Sequence, residues 1–313
     1  MTLRDLRASD APQVFRFLKT EFPEEEVLLG TRLEGFEQIV QRAFRWRARL
    51  LLGLLRLFGR SVFRFFVIEL DGRVVATTFL TFTQRAGYVS MVVVDPAYRR
   101  RGLATALLER AEVVTRARGK PFLALDVLAS NAPARALYEK VGYRPLRATS
   151  YFVHERPDAL SPTPGNVPGL RRFRADDAEP LARVARRGIP SEVQNVLPTT
   201  EGSLTGSAWV GQVLGSEVAA WVIDDGGGPK AWVSATVSPA TEAAHLSAPI
   251  VDASVSPEEA LALVRAAGAW CAARRAPRLM TMVPEENARG RAALLAAGFR
   301  EVIPVWTLYR SVR

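Results

Sequence analysis

The chain contains an internal repeat, and this repeat restricts the folds that it can adopt. The segment LRDLRASDAPQVFRFL, which starts at Leu3, resembles LRRFRADDAEPLARVA, which starts at Leu170. Further along, NAPARALYEKVGY from Asn131 parallels NARGRAALLAAGF from Asn287, and in both a glycine follows the asparagine by eleven residues. Such a repeat has the length of a domain, and it is longer than the repeats of a solenoid. The 313 residues therefore predict two similar domains in tandem.

The boundary between the two domains is predicted at RPDALSPTPGNVPG, residues 156–169. Its four prolines and two glycines interrupt periodic sequence on both sides and disfavour a continuous helix or a central strand. We expect a first domain over 1–155, a linker over 156–168 and a second domain over 169–313.

Each half alternates predicted strands with predicted helices. In the first half, a strand at 3–7 and a helical region at 10–60 precede the strands RFFVIEL, VVATTFLTF and GYVSMVVV. A helix at 103–118, the strand PFLALDVL, a helix at 131–140 and a closing strand follow, and the second half repeats this order. Helices interleaved with strands of mixed direction predict an α/β or α+β layer fold.

The composition excludes several kinds of active site. Cys271 is the single cysteine, and His154 and His245 are the only histidines. A disulfide framework, a zinc site and catalysis by Ser-His-Asp or Cys-His groups are therefore not expected, and we expect no metal. The first residues lack the apolar core of a signal peptide, and no run of about 18 apolar residues occurs, so the expected location is the cytoplasm.

The net charge of +10 is concentrated in the first half. Residues 1–155 carry 25 basic and 16 acidic side chains, a balance of +9, which leaves +1 for the remainder. A basic half points to an anionic partner, such as nucleic acid, a membrane surface or a phosphate-bearing cofactor, and charge alone does not choose among them.

The stretch VVVDPAYRRRGLATALLERAE, residues 92–112, is the most informative about chemistry. An apolar strand runs into Pro96, where sheet hydrogen bonding should stop. Three arginines and Gly102 then lead into a helix whose residues Leu103, Leu107 and Ala111 fall on one face. Because a helix N-terminus presents unpaired N–H groups and a partial positive charge, this junction is suited to a pyrophosphate.

Two motifs in this half resemble those of the GNAT-type N-acetyltransferase superfamily. The acyl-coenzyme A loop of that family is matched by Arg99, Gly102 and Ala104, after the turn Val94-Asp95-Pro96. Its second motif is matched by Asn131, Tyr138 and Gly142-Tyr143. The resemblance covers residues 3 to about 150 and reaches the second half only through the repeat.

The resemblance implies two tandem GNAT-like domains, each with a mixed, mostly antiparallel sheet of about six to seven strands flanked by helices. It implies a catalytic first domain and a degenerate second domain without the coenzyme A loop. The second half has ASVSPEEALALV at the loop position, with Glu258 and Glu259 where acids would repel phosphate. Leu294 stands where Tyr138 stands in the first half.

The implied activity is transfer of an acetyl group from acetyl-CoA to a primary amine, which attacks the thioester directly. By resemblance, the main chain of Val92, Val93 and Val94 holds the pantetheine arm, and Asn131 contacts it. The resemblance also implies that the pyrophosphate is bound by Arg99, Arg100, Arg101, Gly102, Leu103, Ala104 and Thr105. Tyr138 would protonate the departing thiolate, for which a phenol is a competent donor.

Asp126 is the candidate acceptor for the proton of the amine. It interrupts the apolar strand FLALDVL and points away from Leu123, Leu125 and Val127. In related ribosomal-protein acetyltransferases a Glu holds the equivalent place, so the shorter Asp leaves a direct base, a water relay and a structural carboxylate all open. The N–H of Val94 is the candidate donor to the oxyanion.

Residues 36–60 carry six arginines and one acid, Glu37, in an amphipathic pattern. A helix packed on the sheet with a solvated arginine face and docking on a membrane surface or a long anionic acceptor both fit it. The acids Glu21, Glu24, Glu25 and Glu26 would either attract a cationic amine or favour a helix N-terminus.

Two other functions compete with the enzyme. One is a non-catalytic acyl-CoA-binding regulatory protein. The other is a nucleic-acid-binding protein that uses the arginine-rich segment, although no nucleic acid is expected as a partner. The acceptor is left open among peptide N-termini, lysine side chains, aminoglycosides, polyamines and amino sugars, because acceptor sites are built from variable loops.

Overall fold

The computed structural model describes residues 1–14, 18, 63–160, 167–199, 204, 216–238 and 243–312. Most of the predicted helical region at 10–60 lies outside these ranges, as do the arginine-rich segment 36–60 and the acids Glu21 and Glu24 to Glu26. Within the predicted helical region, the described residues 11–14 are helical. No helix among the described residues is long and apolar enough to cross a bilayer.

Among its described residues, besides the helical residues 11–14, the first half contains six strands and two α-helices. They are β1 (Thr2–Asp5), β2 (Phe63–Leu70), β3 (Arg73–Phe82), β4 (Ala86–Val94), α1 (Leu103–Arg116), β5 (Phe122–Leu128), α2 (Ala132–Lys140) and β6 (Arg144–His154). The predicted strands of this half are present, and so are its predicted helices at 103–118 and 131–140, with α1 ending two residues before its predicted end.

The second half contains seven strands and, among its described residues, four α-helices. They are β7 (Leu170–Arg172), α3 (Ala178–Arg187), α4 (Ser191–Val196), β8 (Glu217–Asp224), β9 (Pro229–Val237), β10 (Ala243–Leu246), β11 (Ile250–Val251), α5 (Pro257–Ala272), β12 (Arg278–Pro284), α6 (Ala288–Ala296) and β13 (Arg300–Ser311).

All thirteen strands belong to one sheet rather than to two separate ones. The order is β1-β2-β3-β4-β5-β13-β6-β12-β10-β9-β8-β7, with β11 on β9. Two pairs, β4 with β5 and β10 with β12, are parallel, and the other described pairs are antiparallel. The prediction of a mixed, mostly antiparallel sheet with flanking helices is therefore confirmed.

The two halves exchange their last strands at the centre of this sheet. Strand β13 of the second half pairs with β5 of the first, while β6 of the first half pairs with β12 of the second. The exchanged strands also pair with each other. In this register Thr307 lies opposite Asp126 on one side and opposite Arg147 on the other.

One face of the sheet carries the main helices of both halves. In the first half, Leu107 and Leu108 of α1 pack against Leu123 and Leu125 of β5. In the second, α5 and α6 form the equivalent core, and its buried members include Leu263, Val264, Leu279 and Leu294. The predicted linker does not lie wholly apart from these cores, because Leu160 is buried in the second one.

On the opposite face, the short helix α4 of the second half packs on strands of the first. Val196 joins Ala86, Ala124 and Tyr309 in one buried cluster. Alternation along β5 produces this division, since Leu123 and Leu125 point to the helix face, whereas Ala124 and Asp126 point to the other.

The repeated opening sequences build the same buried ion pair twice. Arg4 makes two hydrogen bonds to Asp10, at 2.6 and 2.9 Å, and Arg171 makes two to Asp177, at 2.8 and 2.7 Å. The opening sequence places Asp177 just before α3, but its side chain does not cap that helix. It accepts instead from the backbone N–H of Arg174, three residues earlier.

Candidate active site

A gap opens between strands β4 and β5 in the first half. The two strands pair from Ala86 and Phe122 to Val89 and Leu125, and pairing ends there although both strands continue. A bulge in β4 between Ser90 and Val93 causes the divergence, with Met91 in the left-handed region at φ 53°. An extra residue bends a strand and disrupts its ladder.

The main chain of Val94 points into this gap. The N–H of Asp95 donates to Val75 of β3, at 2.9 Å. Because hydrogen-bonded and non-bonded pairs alternate in an antiparallel ladder, the pair of Val94 and Ala76 is a non-bonded one. The polar groups of Val94, and by the same alternation those of Val92, therefore face away from β3. Arg99 Nε donates to the Val94 carbonyl at 3.0 Å, so the N–H is the group left toward the gap.

The loop after β4 delivers the start of α1 beside the gap. Asp95 accepts from the N–H of Ala97 at 2.9 Å and fixes a turn over Pro96–Tyr98. Arg100 and Gly102 then adopt left-handed backbone, at φ 59° and 77°. Alternating backbone of this kind turns successive N–H groups toward one side and forms anion-binding concavities.

Gly102 occupies the N-cap position of α1 and has no side chain with which to cap it. The first i to i−4 bond joins the N–H of Ala106 to the carbonyl of Gly102, at 3.0 Å. The N–H groups of Leu103, Ala104 and Thr105 precede that bond, so they have no acceptor within the helix. Arg99, Arg100 and Arg101 are exposed around them. The donors and the charge of this loop fit a pyrophosphate.

Asn131 begins α2 on the same side of the sheet. Its side chain accepts from the N–H of Ala134 at 3.1 Å and caps the helix. The implied contact with a cofactor arm would fall to the amide NH₂, because the oxygen is engaged in the cap. Asn131 is exposed, which leaves that group accessible.

Tyr138 projects from α2 into the core beneath the gap. Its side chain is 7% exposed and packs with Leu103, Leu107 and Leu125. The ring of Tyr143 lies 5.8 Å away between centroids. Burial raises the pKa of Tyr138 to about 12, so the phenol stays protonated at neutral pH.

Asp126 lies on the opposite face of the sheet from Tyr138, at the point where β5 separates from β4. The Oγ1 of Thr307 donates to Asp126 Oδ1 at 2.7 Å. Tyr88 of β4 reaches the same carboxylate. Burial raises the pKa of Tyr88 well above its ordinary value, and the neighbouring Asp126 raises it further. The predicted acid and base thus flank the gap from its two sides.

The first half matches a known family in sequence. The family model of acetyltransferases (GNAT) matches residues 17–143. Over 121 residues, the chain is 35% identical to the [ribosomal protein bS18]-alanine N-acetyltransferase of Salmonella typhimurium. This match spans 37% of this chain and 78% of that enzyme. The chain belongs to the GNAT acetyltransferase family.

Two further comparisons match part of the chain in sequence and the whole chain in fold. The chain is 43% identical over 83 residues to a mycothiol acetyltransferase of Beutenbergia cavernae, a match that spans 26% of this chain and 28% of that protein. A tandem GNAT protein from the clavulanic acid biosynthesis pathway superposes with a TM-score of 0.64 at 18% identity, covering 100% of this chain and 98% of that one. The tandem GNAT arrangement expected from the repeat is therefore confirmed as a fold.

In the second GNAT-like half, helix α6 packs directly against the segment that corresponds to Val92 and its neighbours. Counting from the shared Ser and Val-Asp positions, Pro249 corresponds to Val92. Proline has no N–H to offer, and its carbonyl accepts from Asn287 Nδ2 at 2.8 Å. A Cβ on Gly290 would lie 2.6 Å from that carbonyl oxygen, so α6 sits directly against this segment.

Sequence reasoning missed Thr307, Tyr88 and Arg147 around Asp126. Arg147 and Thr307 are opposed across β6 and β13, and Arg147 lies 3.7 Å from Glu286. Alternation within VIPVWTLYR places Thr307 on the face of Val305 and Tyr309, but the partner of that face depends on the strand exchange. The one signal in the sequence that could have pointed to Thr307 was its position as a polar residue in a mostly apolar strand.

Proposed function

We propose that this chain is an N-acetyltransferase that transfers an acetyl group from acetyl-CoA to a primary amine. The observation that carries the proposal is the arrangement around the gap between β4 and β5. An uncapped helix N-terminus lies at one end of the gap, the N–H of Val94 points into it, and Tyr138 and Asp126 lie on its two sides. In the second half a capping box engages the helix start, and Met282 and Leu294 stand at the positions of Asp126 and Tyr138.

The loop from Arg99 to Thr105 would hold the pyrophosphate of coenzyme A. Its left-handed residues direct backbone donors outward, and three exposed arginines add charge. Val92 and Val94 would then pair with the amides of the pantetheine arm, as a strand would with its neighbour. Asn131 would add a side-chain contact. Acetyl-CoA supplies an activated thioester carbonyl, which this geometry would bring to the gap.

Three groups of the chain would carry the chemistry. The N–H of Val94 would donate to the carbonyl oxygen as negative charge develops on it. Asp126 would accept the proton of the amine, directly or through water, on the face opposite the main helices. Tyr138 would donate its proton to the thiolate sulfur from the helix face, since its raised pKa keeps it protonated.

The catalytic unit in this proposal is 1–155, and 169–313 is a supporting unit joined to it by the exchanged strands. The amine acceptor would enter on the face of Asp126. One relative is named for an alanine of a ribosomal protein and another for mycothiol. Primary amines of peptides and of small molecules are therefore the classes to test first.

The proposal is tested by calorimetric titration of the full chain with acetyl-CoA. We expect one site, weakened about a thousandfold in Gly102→Glu, because a carboxylate beside the pyrophosphate costs several kcal/mol. An added Cβ at Gly102 meets no atom within 4 Å, so the substitution does not clash with the protein itself. Gly102→Asn is the matched control, since Asn tolerates left-handed backbone and adds no charge.

Thiol release is then followed with peptides, polyamines, aminoglycosides and amino sugars as acceptors. Absence of acetyl-CoA binding in the wild type would contradict the proposal. So would equal binding by Gly102→Glu and the wild type, because the site would then lie elsewhere. Binding without thiol release for any amine would favour a regulatory acyl-CoA-binding protein.

A further inference from the structure

We propose that Thr307, a residue of the second half, positions the catalytic carboxylate of Asp126 in the first half. The active site would then be completed by the exchanged strand β13, and the second half would contribute directly to catalysis. This inference rests on the proposed function, and it names a positioning residue that lies 181 positions from the group it holds.

The contact between the two residues is short and specific. Thr307 and Asp126 are directly opposed in the antiparallel pair of β13 and β5. The Thr307 hydroxyl donates to Oδ1 at 2.7 Å, and the residue is 1% exposed. A hydroxyl bond to an ionised carboxylate is about twice as strong as a neutral one and fixes the rotation of the carboxylate.

Other polar groups surround this pair on the same face. Tyr88 of β4 also reaches Asp126, and its raised pKa keeps it a proton donor rather than an anion. Arg147 of β6 lies opposite Thr307 on its other side and pairs with Glu286 at 3.7 Å. Among the described residues, Asp126 therefore faces two hydroxyl donors and one cation.

Strand β13 is held firmly enough for Thr307 to act in this way. Two positions further on, the Tyr309 hydroxyl donates to Glu192 of α4 at 2.5 Å. Next to it, Arg310 donates to the carbonyl of Val141 at 2.6 Å and pairs with Glu112 of α1. These contacts tie the strand to the helices on both faces, so the Thr307 hydroxyl is presented at a fixed place.

The exchange gives the second half a role that its own degenerate site does not provide. Without β13, strand β5 would lose its antiparallel partner, and Asp126 would lose the hydroxyl donor that the second half supplies. A helper domain that merely covered the acceptor would contribute no group within hydrogen-bond distance of the base. The 2.7 Å bond distinguishes the two roles.

The test compares Thr307→Val with Thr307→Ser in the full chain. Valine keeps the shape of threonine but removes the hydroxyl, whereas serine keeps the hydroxyl. Thr149→Val is the matched control. Thr149 is 3% exposed on the same face of β6, opposite Val305, and its Oγ1 has no hydrogen-bond partner among the described residues.

We expect Thr307→Val to lower kcat about tenfold and to leave the Kd for acetyl-CoA unchanged. The rising limb of kcat with pH should move to higher pH, because a hydrogen bond to the charged form is lost. Thr307→Ser should restore most of the rate, and Thr149→Val should match the wild type. In Asp126→Asn, adding Thr307→Val should change nothing further, since the two residues act as one unit.

Several results would overturn the inference. They are an unchanged pH profile and kcat in Thr307→Val, an equal loss in Thr307→Ser, and an equal loss in Thr149→Val. Additive losses in the double variant would place Thr307 outside the Asp126 pathway. A wild type that binds acetyl-CoA but acetylates no amine would contradict the proposed function as well, and that result is distinct from all the others.

Discussion

The two halves differ most at the start of the helix that follows the bulged strand. In the first half, α1 begins at Leu103 after the N-cap residue Gly102, and no side chain engages its N-terminal N–H groups as a cap. In the second, Ser256 accepts from the N–H of Glu259 at 3.2 Å, and Glu259 accepts from the N–H of Ser256 at 2.8 Å. This capping box satisfies, within the protein, donors that the first half leaves for a ligand.

The loop that leads to each helix differs in length as well. Eight positions separate Asp95 from Leu103, whereas five separate Asp252 from Pro257. In both loops the aspartate accepts from the N–H two residues later, at 2.9 Å for Asp95 and 3.0 Å for Asp252. The longer loop adds the left-handed residues Arg100 and Gly102, which the shorter one lacks. A loop that binds phosphate thus leaves the N-terminal N–H groups of its helix without a side-chain cap, whereas a stable helix start binds the same groups with side chains of the protein.

What the halves share is structural. Both retain the clamp of an arginine and an aspartate at the start, Arg4 with Asp10 and Arg171 with Asp177. Both retain an asparagine that caps the second helix of the strand-helix unit. The comparison teaches that the contacts that hold the fold persist in both halves, while the donors that a cofactor would use persist in one.

The largest effect that tests this comparison is expected at the shared clamp. Asp10→Asn and Asp177→Asn should each lower the free energy of unfolding by about 3 kcal/mol, because two charge-assisted hydrogen bonds to a largely buried arginine are weakened. The arginine then keeps one carboxylate partner, Glu69 for Arg4 and Asp224 for Arg171. Chemical unfolding of each variant measures this loss. Equal losses would support one shared structural role, and a loss in one half alone would contradict it.

The clamp also predicts the acid dependence of stability. Burial opposes ionisation of Asp10, but Arg4 and the N–H of Arg7 hold its pKa below the ordinary value. Arg171 lowers the pKa of Asp177 in the same way. This stabilisation should be present above the unfolded-state pKa of about 3.9 and disappear as pH falls through the lower folded value. The free energy of unfolding, measured from pH 6 to about pH 2, should therefore fall less steeply with decreasing pH in both variants than in the wild type.

A smaller effect is expected where a tyrosine in one half corresponds to a leucine in the other. Tyr138→Phe should lower kcat about thirtyfold and leave acetyl-CoA affinity intact, since only the proton donor is removed. Because burial raises its pKa to about 12, Tyr138 should produce no falling limb in the rate below about pH 11.

Tyr143→Phe is the control for that prediction. The Tyr143 ring packs against Tyr138, and its hydroxyl is buried with no hydrogen-bond partner among the described residues. Its removal should leave the rate of acetyl transfer unchanged. An equal fall in kcat in both variants would indicate loss of packing rather than loss of a proton donor.

The smallest effect is expected at the capping box of the second half. Ser256→Ala should cost about 1 kcal/mol in the free energy of unfolding and leave acetyl-CoA affinity and turnover unchanged. Thermal unfolding and the calorimetric titration measure the two quantities. A change in affinity would contradict this expectation, because it would show that the start of α5 is coupled to the cofactor site of the first half.

The sequence by itself determined the local structure of this protein. The apolar spacing of Leu103, Leu107 and Ala111 predicted the buried face of α1, and all three are buried. Alternation in FLALDVL separated Asp126 from its apolar neighbours, and the repeat predicted the tandem fold. These signals depend on residues close together in the chain, so periodicity and turn chemistry are enough to specify them.

Only the tertiary structure decided which strands of the two halves meet. The exchange of β6 and β13 brings Thr307 to Asp126, and no local pattern encodes that partner, since the same alternation would satisfy β13 beside either half. The divergence of β4 from β5 likewise depends on a bulge at Met91. Pairing between distant segments is set by the packing of the whole sheet and its helices, which no short stretch of sequence contains.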